Sequence, residues 1–202
     1  MKQVKLCLHS GGQETSFAQV QAVITPPISG TYYPIGHADF ITKVMAGLEN
    51  HGMQIVNQTH ALAKEGKRYF GLIQVMKAGM TAKDYSLVVG LRNTHDKMFP
   101  AGLVAGAGVF VCDNLSFSGE VDEMRKHTLN IFRDLPGKIS SAIAGLNNLW
   151  VNQETRFNSY KETDLNQSSL VHDILIRAYK ANAMPITYIP HVLNEWAIPS
   201  HE

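Results

Sequence analysis

Three short polar segments, each at the end of an apolar run, contain the residue types that could do chemistry. The first, residues 92–97 (RNTHDK), directly follows the apolar run of residues 85–91. His95 could act there as a general base or metal ligand beside Asp96, and Asn93 could hydrogen-bond a ligand. The alternative is an ordinary strand-to-loop turn in which Asn and Asp side chains bond their own backbone, and turn statistics favour it.

The second segment, residues 111–114 (VCDN), ends a glycine-bearing apolar run. Cys112 is a candidate nucleophile and Asn114 a candidate ligand-binding residue. Nothing in the sequence activates the thiol, so a buried, unreactive cysteine is the favoured alternative. We expect His95, Cys112 and His127 to lie within one pocket, because distant segments commonly assemble a site.

The third segment, residues 125–128 (RKHT), lies in a stretch that begins with Glu120, Asp122 and Glu123. Its two cations could contact phosphates while His127 faces the rest of the protein. A solvated helix face, with Asp122 as an ion-pair partner, is the competing interpretation. A metal site of His95, Asp96 and His127 would require convergence that the spacing does not indicate, and we predict no metal and no cofactor.

Basic residues are concentrated between His60 and Pro100, where seven Lys and Arg face three Asp and Glu, although the whole chain carries a net charge of only +1. This region is the candidate polyanion-binding surface, and aromatic residues interleaved with it could stack bases of a single strand. An ordinary soluble sheet face is the alternative. The candidate nucleic-acid-binding residues are Lys64, Lys67, Arg68, Lys77, Arg92, Lys97, Arg125 and Lys126.

Several function classes lose their main support. The chain has no P-loop, dinucleotide-binding glycine motif, hydrolase elbow or zinc signature. Two cysteines cannot build a disulfide framework, and no apolar run approaches the roughly 18 residues of a membrane helix. The N-terminus lacks the pattern of a signal peptide. We therefore expect a cytoplasmic protein with no membrane partner.

The elements that must position these residues follow from hydrophobic periodicity. Helical spacing predicts a helix over 38–51, and β-like runs with short joins predict antiparallel strands over 53–63, 68–77, 85–92 and 103–112. From Ser118 the pattern predicts a helix that ends at Pro136, a second over about 138–150 and a third from Leu170 to about Asn182, with 152–169 as a polar linker or lid.

These elements predict an α+β fold in which an antiparallel β-sheet packs against helices. Residues 1–36 form an irregular or β-rich N-terminal segment, 37–150 the α+β core domain, and 151–202 a linker and C-terminal helical segment. Forty-five per cent of the 202 residues are hydrophobic, enough for a sizeable core.

Four motifs in order, 90–96 (GLRNTHD), 111–114 (VCDN), 125–128 (RKHT) and 193–196 (LNEW), resemble the phage and plasmid family catalogued as domain of unknown function 932. The resemblance covers about residues 30–202. It implies a mobile-element protein in the cytoplasm of a bacterial host and assigns no catalytic residue. Members usually continue beyond this region with another apolar helix, so we expect the C-terminal segment to be incomplete or a short variant.

The order of a helix, three hairpin strands and a helix is also similar to phage single-strand annealing recombinases and their Rad-type relatives, which assemble as rings on single-stranded DNA. This topological likeness favours a phage- or plasmid-encoded nucleic-acid-binding protein, acting on single-stranded DNA in recombination, as a homo-oligomer. One alternative is a hydrolase or transferase that uses His95, Asp96 and His127 on a nucleotide-like substrate. Another is a counter-defence protein that binds a host protein or a small signalling molecule.

Overall fold

The computed structural model describes residues 5–77, 87–106, 110–111, 117–162 and 168–198. In chain order its elements are β1 (Gln13–Thr15), α1 (Phe17–Gln21), α2 (His37–Asn50), β2 (Met53–Ala63), β3 (Arg68–Lys77), β4 (Leu87–Thr94), β5 (Ala101–Gly106), β6 (Phe110–Val111), β7 (Phe117–Ser118), β8 (Val121–Arg125), α3 (Ile131–Glu162), α4 (Ser168–Lys180), a 3₁₀ turn (Ile186–Tyr188) and α5 (Ile189–Ala197).

Within these residues six strands form one antiparallel sheet in the order β1-β2-β3-β4-β5-β8. The pairings β2–β3, β3–β4 and β4–β5 join strands that are neighbours in sequence, as short connections predict. The β2–β3 turn is tight, with positive φ at Lys64, Glu65 and Gly66. The predicted α+β class and antiparallel sheet are confirmed.

Both faces of the sheet are covered. On one face, α2 and α3 bury a large apolar cluster, in which Phe40 and Leu48 of α2 and Ile143 of α3 meet Ile73 and Leu91 of the sheet. A smaller cluster occupies the other face, and Phe70, Val88 and Phe99 belong to it, with Leu6 and Phe117 packed against it. Alternation of side chains along β3 explains why its neighbours Tyr69 and Phe70 enter opposite clusters.

The predicted helix from Ser118 to Leu135 is wrong. Residues 121–125 form β8, which pairs with β5 through Ala101↔Arg125 and Ala105↔Val121. All six residues of β5 are buried, so its outer row of backbone N–H and C=O groups needs a partner, which β8 supplies. This long-range requirement outweighs the helical pattern of the segment.

Pro136 does not end a helix either, because α3 runs through it from Ile131 to Glu162. Proline removes one backbone hydrogen bond near the start of α3, but Ile131, Leu135, Ile139 and Leu146 lie buried along one side of the helix. Their burial holds the helix together across Pro136. Consequently the separate helix predicted over 138–150 is part of α3, and 152–162 of the predicted linker is helical.

Two smaller predictions also change. The strand predicted over 103–112 is β5, Ala101–Gly106, and residues 110–111 pair with β7 in a separate two-stranded sheet. By contrast, α2 and α4 match the predicted helices within two residues at each end.

The chain divides into two compact units, residues 1–152 and 153–202. The second unit contains the end of α3, α4 and α5, and the buried Val171 and Leu175 line a cavity there with Val192 and Trp196. Among the described residues, none of the helices combines the length and the hydropathy that crossing a bilayer requires.

Gly71 of β3 provides a test of this packing. A Cβ at Gly71 would overlap the Tyr69 hydroxyl, which is buried and 2.8 Å from Nδ1 of His60. We expect Gly71→Ala to lower the free energy of unfolding by about 1–3 kcal/mol, measured by urea denaturation. Gly137→Ala is the control, since a Cβ in α3 at that position has no neighbour within 4 Å, and it should raise stability by roughly 0.5–1 kcal/mol. A neutral Gly71→Ala would contradict the packing of Tyr69.

Candidate functional site

One end of the sheet gathers segments that are far apart in sequence. The β2–β3 turn, the end of β4, the start of β5 and the end of β8 meet there, as the pairs Arg68↔Thr94 and Ala101↔Arg125 show. The loop before α2 joins them through the bond from Tyr33 N to the carbonyl of His127 (3.0 Å). The first and third polar segments therefore lie at the same end of the sheet.

His37, the first residue of α2, lies at the centre of this end and is 1% exposed. The Asn93 amide donates from Nδ2 to His37 Nδ1 (3.0 Å) and to the carbonyl of Ile35 (2.9 Å). Because Nδ1 accepts, the ring proton is on Nε2, which donates to the carbonyl of Gly66 (2.9 Å). These bonds fix the orientation and the neutral tautomer of His37.

His95 stacks on His37, with the ring centroids 3.9 Å apart and the planes within 6°. His95 Nε2 donates to the carbonyl of Ile35 at 3.1 Å. Burial, then repulsion from His95, lowers the pKa of His37 to about 3, and burial also lowers the pKa of His95. Both rings are therefore neutral at pH 7, which allows them to stack at close range.

His127 belongs to the same end of the sheet but is held differently. Its ring is 7% exposed and lies 5.6 Å from the Tyr32 ring. Burial, then repulsion from His95, lowers the pKa of His127 to about 4, although the nearby Tyr33 backbone opposes part of this shift. Neither ring nitrogen has a hydrogen-bond partner of good geometry among the described residues. A buried polar group in this state is costly unless a ligand or an ordered water satisfies it.

Asp96 is fully engaged by protein groups. Its carboxylate accepts from Arg68 Nε at 2.6 Å, from the Thr94 hydroxyl and from the Met98 backbone at 3.2 Å. Burial alone would raise the pKa of Asp96, but the bonds from Thr94 and Arg68 outweigh it and hold the pKa below its ordinary value. Asp96 therefore has a structural role and is not positioned as a base for His95.

A cavity of about 390 Å³ opens beside His127. Its inner wall contains the rings of Tyr32, Phe99 and His127, each at most 9% exposed, and its rim contains the exposed Lys97 and Lys126. None of the ten described residues that line this cavity is acidic. We call this the rim-lysine cavity. It combines a neutral aromatic interior with a cationic entrance.

His95 lines a second cavity, of about 500 Å³, with residues 22–24 and 65–67 among its walls. His95 and His127 therefore lie close enough to interact electrostatically, yet they open to different cavities. Cys112 and Asn114 lie outside the described residues. His95 and His127 thus belong to one buried histidine cluster, but they line two cavities and not the single predicted pocket. The place of Cys112 in it stays a prediction.

The candidate cations do not form one surface. Lys77 is the last of the ten residues of β3. At a rise of roughly 3.3 Å per residue, it lies about 30 Å from the β2–β3 turn. Arg68 pairs with Asp96 (2.6 Å) and Arg125 pairs with Asp134 (2.8 Å). Lys67 lies 3.9 Å from Glu65.

The remaining candidate cations lie in other surroundings. Arg92 lies between Phe99 and Phe117, 5.3 and 4.4 Å from their ring centroids. Lys64, exposed in the turn, and the rim lysines are at the site end.

Four aromatic residues are interleaved with those cations. Tyr69 and Phe70 are 0% and 1% exposed, so the sheet faces present neither ring to a nucleic acid. Tyr85 lies outside the described residues, and Phe99 lines the rim-lysine cavity. Sequence reasoning also missed His37 and Tyr32, because a single histidine at a helix start and a tyrosine in a loop carry no distinctive spacing. Only the contact of the loop before α2 with β4 and the segment after β8 identifies them.

The described residues contain no group of three or more His, Cys, Asp or Glu side chains arranged to hold a metal ion. Comparison with models of known families, with curated proteins and with solved structures gave no match. The resemblance to the phage and plasmid family therefore stays a prediction.

The neutral histidines make stability depend on pH. Because the pKa values of His37, His95 and His127 are lowered on folding, the unfolded chain takes up protons below its ordinary histidine pKa of 6.5 while the folded protein does not. Stability should therefore fall as the pH drops from about 6.5 towards about 4, and the urea midpoint at several pH values measures it. A midpoint that is constant between about pH 7 and 5 would contradict neutral, buried rings.

Replacing His127 by Phe and replacing His37 by Phe should have different effects on the free energy of unfolding. His127→Phe removes two unpartnered buried nitrogens, so we expect unchanged or up to about 2 kcal/mol higher stability in urea at pH 7.5. His37→Phe removes one acceptor of the Asn93 amide and the ring donor to the Gly66 carbonyl, and it should cost about 2 kcal/mol or more. Equal losses in the two variants would show that His127 has a stabilising partner.

Proposed function

We propose that the protein binds single-stranded nucleic acid at the end of the sheet that carries the rim-lysine cavity. The observation that supports this most is that Lys97 and Lys126 both lie at the entrance of a cavity for which no acidic residue is found among the described lining residues. Lysines at such an entrance attract phosphates, and the aromatic interior offers contacts for bases.

The charge balance supports local rather than global attraction. The chain carries a net charge of +1, so no overall field draws nucleic acid to the molecule. Arg68 and Arg125 are neutralised by carboxylates, which leaves the rim lysines and Lys64 as the principal cations at this end of the described structure. We therefore expect binding of modest affinity with a shallow salt dependence, because the slope scales with the number of phosphates contacted and few cations are available.

A single strand suits the cavity better than a duplex, because the bases of a duplex are stacked inside and cannot reach buried rings. The hydrolase or transferase alternative has less support. Asp96 is occupied by Arg68 and Thr94, and His95 donates to the Ile35 carbonyl and stacks on His37. The counter-defence alternative depends on the sequence resemblance alone.

The substitutions that test this proposal should leave Arg68 unchanged. Replacing Arg68 would leave its part-buried partner Asp96 unpaired and could destabilise the protein. Replacing both rim lysines, Lys97→Gln with Lys126→Gln, removes two contacts. At about 0.7 of a unit per phosphate for a single strand, the salt slope of binding should fall by roughly 1.4. Fluorescence anisotropy with a labelled oligothymidine between about 50 and 200 mM salt measures it.

The matched control is Lys43→Gln with Lys77→Gln, which also removes two exposed charges but away from the cavity. Its salt slope should equal that of the unchanged protein. Equal loss in both double variants would place the binding surface elsewhere, and no binding by the unchanged protein at about 50 mM salt would refute the proposed function.

A further inference from the structure

We infer that the rim-lysine cavity receives one base of the bound strand, turned out of line with its neighbours, while Lys97 and Lys126 contact the adjoining phosphates. This inference rests on the proposed function and names what enters the cavity. It assigns Tyr32, Phe99 and His127 as the residues that contact the base.

The burial of the three rings supports an inserted ligand. Tyr32, Phe99 and His127 are 9%, 8% and 7% exposed, so a nucleic acid lying across the surface would not reach them. Only a group that enters the cavity can contact them. A volume of about 390 Å³ lies within the roughly 300–1,000 Å³ of pockets that hold small ligands.

The distribution of charge selects a base rather than a phosphate for the interior. The described lining residues include no carboxylate, and burial keeps His127 neutral at pH 7, so the part of the inner wall that they form carries no charge. Positive charge is confined to the exposed Lys97 and Lys126. A nucleotide in a strand has the same arrangement, a neutral flat ring with phosphates on either side.

The nitrogens of His127 are available to a ligand. Neither has a hydrogen-bond partner of good geometry among the described residues, so a base in the cavity could bond to them without displacing such a partner. A neutral imidazole offers one donor and one acceptor, which suits the mixed donors and acceptors of a base edge. Lys97 Nζ lies 4.8 Å from the Tyr32 ring centroid, and since Lys97 is exposed, moving it aside costs little.

Two labelled strands of about ten nucleotides test this, one of thymidines and one with abasic residues throughout, because they carry equal phosphate charge and differ only in bases. The unchanged protein should bind the thymidine strand about tenfold more tightly, as contact with one base predicts. Equal affinities would overturn the inference while leaving the proposed function intact. Failure to bind either strand at about 50 mM salt would remove both.

His127→Leu should lower the preference for bases measurably, although Tyr32 and Phe99 remain, and it should leave the salt slope unchanged. His191→Leu, which replaces an exposed histidine of α5, is the matched control and should keep the full preference. A His127→Leu protein that retains the tenfold preference would overturn the inference.

Photochemical cross-linking of the unchanged protein completes the test, because its result does not depend on whether a variant folds. Irradiating the complex with a strand that contains 5-iodouracil should cross-link the base to Tyr32, Phe99 or His127, identified by peptide mass spectrometry. Cross-links only at other residues would refute base insertion. Thymidine monophosphate that competes as tightly as the strand would instead make the cavity a site for free nucleotides, and this also overturns the inference.

Discussion

The two hydrogen bonds that Asn93 donates, to the carbonyl of Ile35 and to His37, hold the candidate site together. They attach the loop before α2 to the end of β4 in a place where Asn93 is fully buried. The same loop supplies Tyr32 to the cavity, and its Tyr33 backbone bonds that of His127. Without the attachment, the cavity would lose one of its walls.

This arrangement keeps charge out of the interior and leaves it at the entrance. His37 and His95 can stack only while both are neutral, and burial ensures this at pH 7. Asp96 is balanced by Arg68, so its charge is compensated within the protein. Lys97 and Lys126, which have no carboxylate partner among the described residues, lie at the surface, where solvent stabilises them. Attraction at the entrance and apolar contact inside are thus separated in space.

The site end is not optimised for stability. Asn93 Oδ1 and both nitrogens of His127 are buried without partners of good geometry among the described residues, and each such group has a cost. A ligand or an ordered water can satisfy such a group. His127 is the clearer case, because it lines a cavity that a ligand can enter.

Local patterns determined much of the fold. The alternating runs and short joins of β2, β3 and β4, and the 3.6-residue period of α2 and α4, depend on residues close in sequence, so these elements were predicted within a few residues. The polar segments around His95 and His127 were also recognised as candidate sites. Their residue types and their positions at the ends of apolar runs were sufficient for that.

Only the tertiary structure decided the rest. β8 is a strand because the buried β5 needs a hydrogen-bonding partner, and α3 continues through Pro136 because its buried side packs on the sheet. Three arrangements at the site end involve residues about 30 or more positions apart in the sequence. They are the hydrogen bond between His37 and Asn93, the ion pair of Arg68 with Asp96, and the shared cavity entrance of Lys97 and Lys126. Sequence spacing carries no information about such contacts, because they form only when the sheet brings the ends of distant strands together.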